Sequence, residues 1–539
     1  MRQTALVILL LCGATCFAQD PETVLPTTVR STKSYLIAEH TPKDTAYLKA
    51  QCRRAGLDLG LEVLANRIPT DSRLVTPKPS VHLLHQDTLY LQLPINDKQT
   101  EFAVYHSEVF DLPSYINVLQ IGDELVTYRT TEKSGDINLF YGCVRGAYGT
   151  KKSAHPGKAP VYKLGDTPER TLLPDLELQE QMIEEEALRL SETDYPLLIF
   201  NDLNSYACPP QGDEVIAYLL ATMQKHNPDK LLQADQYTPA AWPYLSRVNE
   251  NQLWGASMRT KIVKTLAEKQ EYYRKLQMPW MIGNFQIHLA DKYNSATPME
   301  ALEWFLAKAA AFDAGFGLDY SIETMQQHGL HEAFLKTIKA WETLRLGNAF
   351  SAEQKEKMKD PYSDWHLQQV DDSTFSLFEQ QISSRYRMEP TYYDCDTCKG
   401  QGSLHGNWNW KPSFTSPMAF VVKVEGKGSI SGLCLVTPNG KLTFPCTIEA
   451  GQYLLYNFDH MGTALITDAN YNTIAEIQPT GTLPVLSHEG TLVAASCIFN
   501  CKGNKAPEVS VRYLSRGTPE TIRLRQPLWI LIGKKTPFY

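Results

Sequence analysis

A chain of 539 residues with 43% hydrophobic and 21% charged residues has an ordinary globular composition and room for roughly two to four domains. The formal net charge of −8 and the absence of any clustered Lys/Arg block argue against nucleic acid as a partner. No internal segment reaches about 18 uninterrupted apolar residues, so no transmembrane segment is expected.

The N-terminus reads as a secretory signal over residues 1–18. Arg2 supplies the positive end, Ala5 to Leu11 form a short apolar run, and Cys16-Phe17-Ala18 offers a small-residue cleavage site before Gln19. A lipid-anchored alternative through Cys12 or Cys16 lacks the usual approach to the cysteine. The expected location is therefore a periplasm, a cell surface or the medium. Removing those two cysteines leaves nine, an odd number, so at least one is free or pairs between chains.

Residues 19–165 read as an N-terminal arm followed by a β module. Residues 19–40 are polar. Thr41-Pro42-Lys43-Asp44 is a good helix start, with a capping residue, a first-turn proline and an acid near the dipole. That helix should run to about Gly56. Val81 to Leu93 and Ile116 to Thr130 are rich in β-branched and aromatic residues. Gly142, Gly146 and Gly149 mark tight turns that need positive φ.

Residues 166–389 alternate helical and strand-like runs. Helices are expected at Leu176–Ser191, Asp213–Asn227, Met258–Leu276, Pro298–Phe312 and Glu332–Leu346. Strands are expected at Leu197–Phe200, Lys230–Ala234, Pro279–Ile287 and Gly315–Ile322. Repeated strand–helix units predict a parallel sheet with helices outside. No Gly-x-Gly-x-x-Gly follows the first of these strands and no phosphate loop occurs, which argues against a dinucleotide-binding sheet and for a (β/α)8-like TIM barrel. Residues 390–539 are strand-like with regular turns and predict a C-terminal β-sandwich. The fold class is thus multidomain, α/β plus β.

Three stretches carry a resemblance: GDELVTY (122–128) with YGCVRGAYGT (141–150) and His155-Pro156-Gly157; AFDAGFGLD (311–319); and IEAGQYLLYNFDHMGTALITDANYNTIAEI (448–477). Together they resemble secreted glycoside-hydrolase-like TIM-barrel proteins of polysaccharide-utilising bacteria. The resemblance implies a barrel acting on a poly- or oligosaccharide, with the sandwich as a packing or carbohydrate-binding partner.

Barrel sites lie at the carboxyl ends of the strands, and glycoside hydrolysis needs two carboxyl groups across the scissile bond. Asp202, Asp235 and Glu323 are the candidates for catalysis. Asn201, Asn204, Tyr237, Arg247, Asn284, Gln286 and Asp319 are the candidates for holding sugar hydroxyls or an acidic group. His288 lies just past the same strand end as Gln286. Each acid has a plain structural alternative, capping a helix or bonding a loop amide. Two amides beside Asp202 also suit a barrel that grips sugar without cutting it, and a surface assembly or adhesion role is a third possibility. Trp242 and Trp254 are stacking candidates, with core packing the default. Cys395-x-x-Cys398 is half of a zinc-ribbon pattern without its repeat, so no metal is expected and disulfides or free thiols are the reading there. No other cofactor motif is found. No Gly-x-Ser-x-Gly or His-Glu-x-x-His occurs, so the common serine-hydrolase and zinc-protease patterns fail. The substrate, the stereochemistry and the oligomeric state are not readable at this level.

Overall fold

In the computed structural model the described residues are 33–39, 44–111, 114–206, 213–250, 253–254, 259–393, 400–501 and 505–524. The signal segment and the Cys395/Cys398 pair lie outside them. Among the described residues no helix is long and apolar enough to cross a membrane.

Eight parallel strands make the central sheet: β1 (Tyr35–Glu39), β2 (Asp58–Glu62), β3 (Leu197–Phe200), β4 (Leu231–Ala234), β5 (Arg247–Val248), β6 (Leu253–Trp254), β7 (Asn284–Gln286) and β8 (Gly317–Asp319). Their order is β5-β4-β3-β2-β1-β8-β7-β6. This is chain order wrapped round, with β1 pairing β8 through Tyr35 and Gly317. The sheet also closes on its far side. Val248 N–H donates to Pro279 O at 3.0 Å, and Met281 N–H donates to Val248 O at 2.9 Å. Leu253 then pairs Asn284 further along the same neighbour. β5 and β6 therefore flank one stretch, and the sheet curls into a barrel.

Two strands enter earlier than the sequence reading placed them. β1 and β2 precede the β module, which is an insertion between β2 and the rest of the barrel. In β2, Asp58-Leu59-Gly60-Leu61-Glu62, the two leucines join the outer core under the helices, while Gly60 faces the side chains of Leu197 and Ile199 inside the barrel. Tyr35, Leu197 and Ile199 form a small interior cluster of their own. Alternation between these two surfaces is the period-2 signature of a strand.

Around the sheet stand α1 (Thr45–Ala55), α2 (Leu176–Ser191), α3 (Asp213–His226), α4 (Arg259–Lys275), α5 (Met299–Phe312), α6 (Ile322–Gln327) and α7 (His331–Leu346). Helix α1 starts where Asp44 accepts the Tyr47 N–H at 2.9 Å and stops at Gly56, whose φ of +68° suits glycine. No helix separates β4 from β5. Thr238 to Leu245 instead form a short coil of turns.

The inserted module has a five-stranded antiparallel sheet and a three-stranded one. Its motif residues meet at one point. Glu124, fully buried, takes a two-pronged ion pair from Arg145 at 2.9 and 2.7 Å, and hydrogen bonds from the His155 ring at 2.8 Å and from the N–H groups of Gly146 and Ser153. Burial alone would raise the Glu124 carboxyl, but these partners outweigh it and hold the pKa down at about 2.

Beyond α7 two antiparallel sheets, of nine and six strands, pack around Phe420, Val422, Leu433, Phe444, Val493, Phe499 and Val511. The nine-stranded sheet begins at Asp364–Gln369, inside the segment expected to belong to the barrel. The reason is packing. Trp365, Leu367, Phe375, Leu377 and Ile522 share the barrel's own core, so the edge of this sheet is built against the barrel.

Candidate active site

Opposite the Leu197–Ile199 cluster, the barrel interior is polar below its mouth. Arg247 Nε donates to Gln233 Oε1 at 2.8 Å, and its guanidinium lies 4.5 Å over the Tyr35 ring. Burial pulls Arg247 down to about 10, so it is charged at neutral pH. One level up, Asn249 Nδ2 donates to Asn284 Oδ1 at 2.8 Å, and Asn249 Oδ1 accepts the Gly283 N–H at 2.9 Å. Each buried amide has a partner, as a low-dielectric interior demands.

At the carboxyl ends the side chains become acidic. Glu62 ends β2 and accepts from Asn201 Nδ2 at 2.7 Å. Asp319 ends β8 and accepts from Gln286 Nε2 at 3.1 Å. Glu39 ends β1, between these two strands, at the register position beside Glu62. Three adjacent strands, β8, β1 and β2, thus each finish in an acid. Amides from the next strands outward, β3 and β7, orient Glu62 and Asp319.

The loops beyond β2, β3 and β4 are tied together. Tyr206 Oη accepts the Ala65 N–H at 2.8 Å. Asp202 pairs with Arg67 at 2.8 Å while its own carboxylate stays over half exposed. Asp235 accepts the N–H of Asp202 at 2.9 Å and of Leu203 at 3.1 Å, one per carboxylate oxygen. That contact steadies the turn at Asp202, whose φ is +56°, and the 3-10 helix after it. Burial raises the Asp235 carboxyl and the Asp202 charge adds to it, against the two amides. Asn204 Nδ2 donates to Gln236 Oε1 at 2.8 Å.

Six of the residues expected from sequence stand at the mouth in two groups, and the others lie elsewhere. Asn201, Asp202, Asn204 and Asp235 come together on the β3–β4 side of the mouth, and Gln286 and Asp319 on the β7–β8 side. Asn284 lies deeper, in the interior amide pair. Tyr237 packs edge-on against Tyr273 at 6.1 Å. Arg247 sits inside the barrel, bonded to the carbonyl of Lys33 just before β1, at the opposite end from the mouth. Glu323 is exposed in the first turn of α6, where it accepts from Gln327 at 3.2 Å. Trp242 donates to the Leu276 carbonyl at 3.1 Å, on the helix side of the barrel. Glu62 and Glu39 were missed, because their strands were read as arm and β module. The alternation Asp-Leu-Gly-Leu-Glu was the available signal.

A cleft of about 700 Å³ lies between the end of β7 and the sandwich. Phe285, Gln286 and His288 line its barrel end, and Ile382, Arg385 and Tyr471 its sandwich end. Two ion pairs bridge it, Arg259–Asp364 at 2.8 Å and Arg512–Glu300. Among the described residues no group of three His, Cys, Asp or Glu side chains is placed to hold a metal ion, and the six described cysteines form no disulfide.

No family model matches the chain, and no curated protein matches it. Solved structures that match include a GH27 β-L-arabinopyranosidase from Geobacillus stearothermophilus in complex with arabinose. Identity is 7%, over 89% of this chain and 85% of that one, with a TM-score of 0.27. An endo-β-1,4-mannanase from Cellulomonas fimi matches at 11% identity over 57% and 69%, with a TM-score of 0.23. A pyruvate kinase from Cryptosporidium parvum matches at 10% over 59% and 70%, with a TM-score of 0.25. Glycoside hydrolases and a kinase stand side by side at these scores, so the likeness carries no argument. Fold and chemistry rest on this chain's own strands and side chains.

Proposed function

We propose that the chain is a carbohydrate-active protein of the glycoside-hydrolase type, cutting a glycosidic bond at the barrel mouth with Glu62 and Asp319 as the acid/base pair. The observation that supports this reading is that β2 and β8, on either side of β1, end in Glu62 and Asp319, each oriented by a neighbouring amide. Strands β2 and β8 flank β1, about 10 Å apart at ordinary ladder spacing, and the register sets Asp319 level with Gly60, two residues short of Glu62, so the two Cα atoms stand about 12 Å apart and side chains turned into the barrel close part of that gap. That suits the separation of about 6.5–9.5 Å between carboxyl groups that leaves room for an attacking water. In such a site one carboxyl protonates the leaving oxygen and the other activates the water. Asn201 and Gln286 would fix the two acids and offer their remaining polar atoms to sugar hydroxyls. The N-terminal segment adds secretion to the proposal, on its sequence pattern alone.

A second reading keeps Asp235 as the proton donor, with Asp202 beside it. The raised Asp235 carboxyl favours it, since a general acid needs its proton near neutral pH. Turnover on a panel of neutral, uronic and sulfated saccharides, with Glu62→Gln, Asp319→Asn and Asp235→Asn in parallel, separates the two. The first reading expects a loss of at least about a thousandfold for Glu62→Gln and Asp319→Asn, and a small loss for Asp235→Asn, on the scale of removing an acid or base from a catalytic pair. The reverse pattern supports the second. A folded protein that binds sugars and turns over none is a lectin-like barrel.

A further inference from the structure

The cleft between barrel and sandwich has a charge pattern that the hydrolytic reading does not use. Three arginines line it, Arg259, Arg385 and Arg512. Asp364 neutralises the first and Glu300 the last, and both pairs join barrel to sandwich. Arg385 is exposed on the sandwich side and has no hydrogen bond or ion pair among the described residues. The cleft therefore keeps one guanidinium outside any ion pair, which also borders a second cleft with Glu389, Glu425 and Glu508, in a chain whose net charge is −8.

An aromatic face stands at the lip. Tyr293 is 84% exposed, so it contributes little to packing. Its loop is nonetheless fixed: Asp291 accepts the N–H groups of Tyr293 and Asn294, and Thr297 closes the segment against His288. A held loop presenting a ring that is mostly open, with Lys292 Nζ 5.3 Å from its centroid, is a natural platform for the apolar face of a sugar. At the inner end, Gln286 both lines the cleft and donates to Asp319, so one side chain links the cleft to the acidic mouth. A volume of about 700 Å³ is in the range of ligand sites rather than of a packing defect.

We propose that this cleft binds an oligosaccharide bearing an anionic group, carboxylate or sulfate, with Arg385 pairing the anion and Tyr293 stacking on a ring while the adjoining unit reaches the mouth. The proposal rests on the carbohydrate reading above and adds the substrate class. A planar guanidinium matches the two oxygens of a carboxylate or sulfate, and a free one has no internal partner to give up.

Isothermal titration of the full chain with three probes tests it: an oligogalacturonate, a sulfated oligosaccharide and a neutral oligosaccharide of equal length. At least one acidic probe should bind tenfold or more tightly than the neutral one. Arg385→Ala should weaken the acidic probe by about ten- to a hundredfold, with Arg385→Lys between the two, and should leave neutral binding and the melting temperature unchanged. Neutral binding without any acidic preference, or an acidic preference that survives Arg385→Ala, overturns the proposal and leaves the carbohydrate reading standing. Binding of none of the three overturns the carbohydrate reading itself.

Discussion

Asp235 and Glu62 show how two strand-end acids differ in what surrounds them. Both oxygens of Asp235 are taken by backbone N–H groups, which is the work of a cap. Glu62 instead meets a side-chain amide that leaves one of its own donors and its carbonyl for other partners. Replacing Asp235 by Ala should therefore lower stability by about 1–2 kcal/mol through loss of the turn at Asp202. Urea unfolding would measure this, and an unchanged midpoint would remove the capping role. Glu62→Gln keeps an oxygen that can accept from Asn201 and should shift that midpoint less than Asp235→Ala does.

At the scale of elements, one buried carboxylate ties the turns of the inserted β module to each other, beside the module's own apolar clusters. Glu124 has its pKa lowered from 4.5 to about 2 on folding, so it binds a proton less readily when folded than when unfolded. Its contribution is fully present above the unfolded value and is lost as pH falls from about 4.5 through about 2. The size is on the order of 3 kcal/mol. Acid titration followed by near-ultraviolet circular dichroism should show the module loosening in that window. Glu124→Gln should remove the same acid step and cost about 3–5 kcal/mol at neutral pH, because Arg145 is left buried without its counter-charge. A variant as stable as the parent would contradict this. The motif around Glu124, Arg145 and His155 is thus explained by folding of the module, and no sugar contact is needed to account for it.

For the whole molecule, barrel and sandwich meet at close range. Gly329 donates its N–H to Asn470 O at 2.8 Å, and a Cβ at Gly329 would stand 2.1 Å from the Tyr471 carbonyl oxygen. Gly329→Ala should push the two apart, lowering the melting temperature by several degrees and splitting the calorimetric transition; a single unshifted transition would speak against a tight contact. The same scale explains what could be read from sequence. The alternation from Leu176 to Leu346 and the strand-rich C-terminal region were legible because helices of period 3.6 and short apolar strands leave local marks. So was the meeting of Asp202 and Asp235, which end consecutive strands. The first two barrel strands were not. β1 is a five-residue run behind a polar arm, and β2 is separated from β3 by over a hundred residues of inserted module. Its inward face carries Asp58, Gly60 and Glu62, so it lacks the unbroken apolar run expected of a buried parallel strand. Because those strands carry Glu39 and Glu62, missing them hid the acid most central to the site.

The most direct test is where a sugar sits. A crystal structure of Glu62→Gln grown with a saccharide that the parent protein binds should show a ring between the ends of β8, β1 and β2, its glycosidic oxygen within hydrogen-bond reach of Asp319 or residue 62. A saccharide found only on the faces of the sandwich, with the barrel mouth filled by solvent, would contradict the placement of the active site.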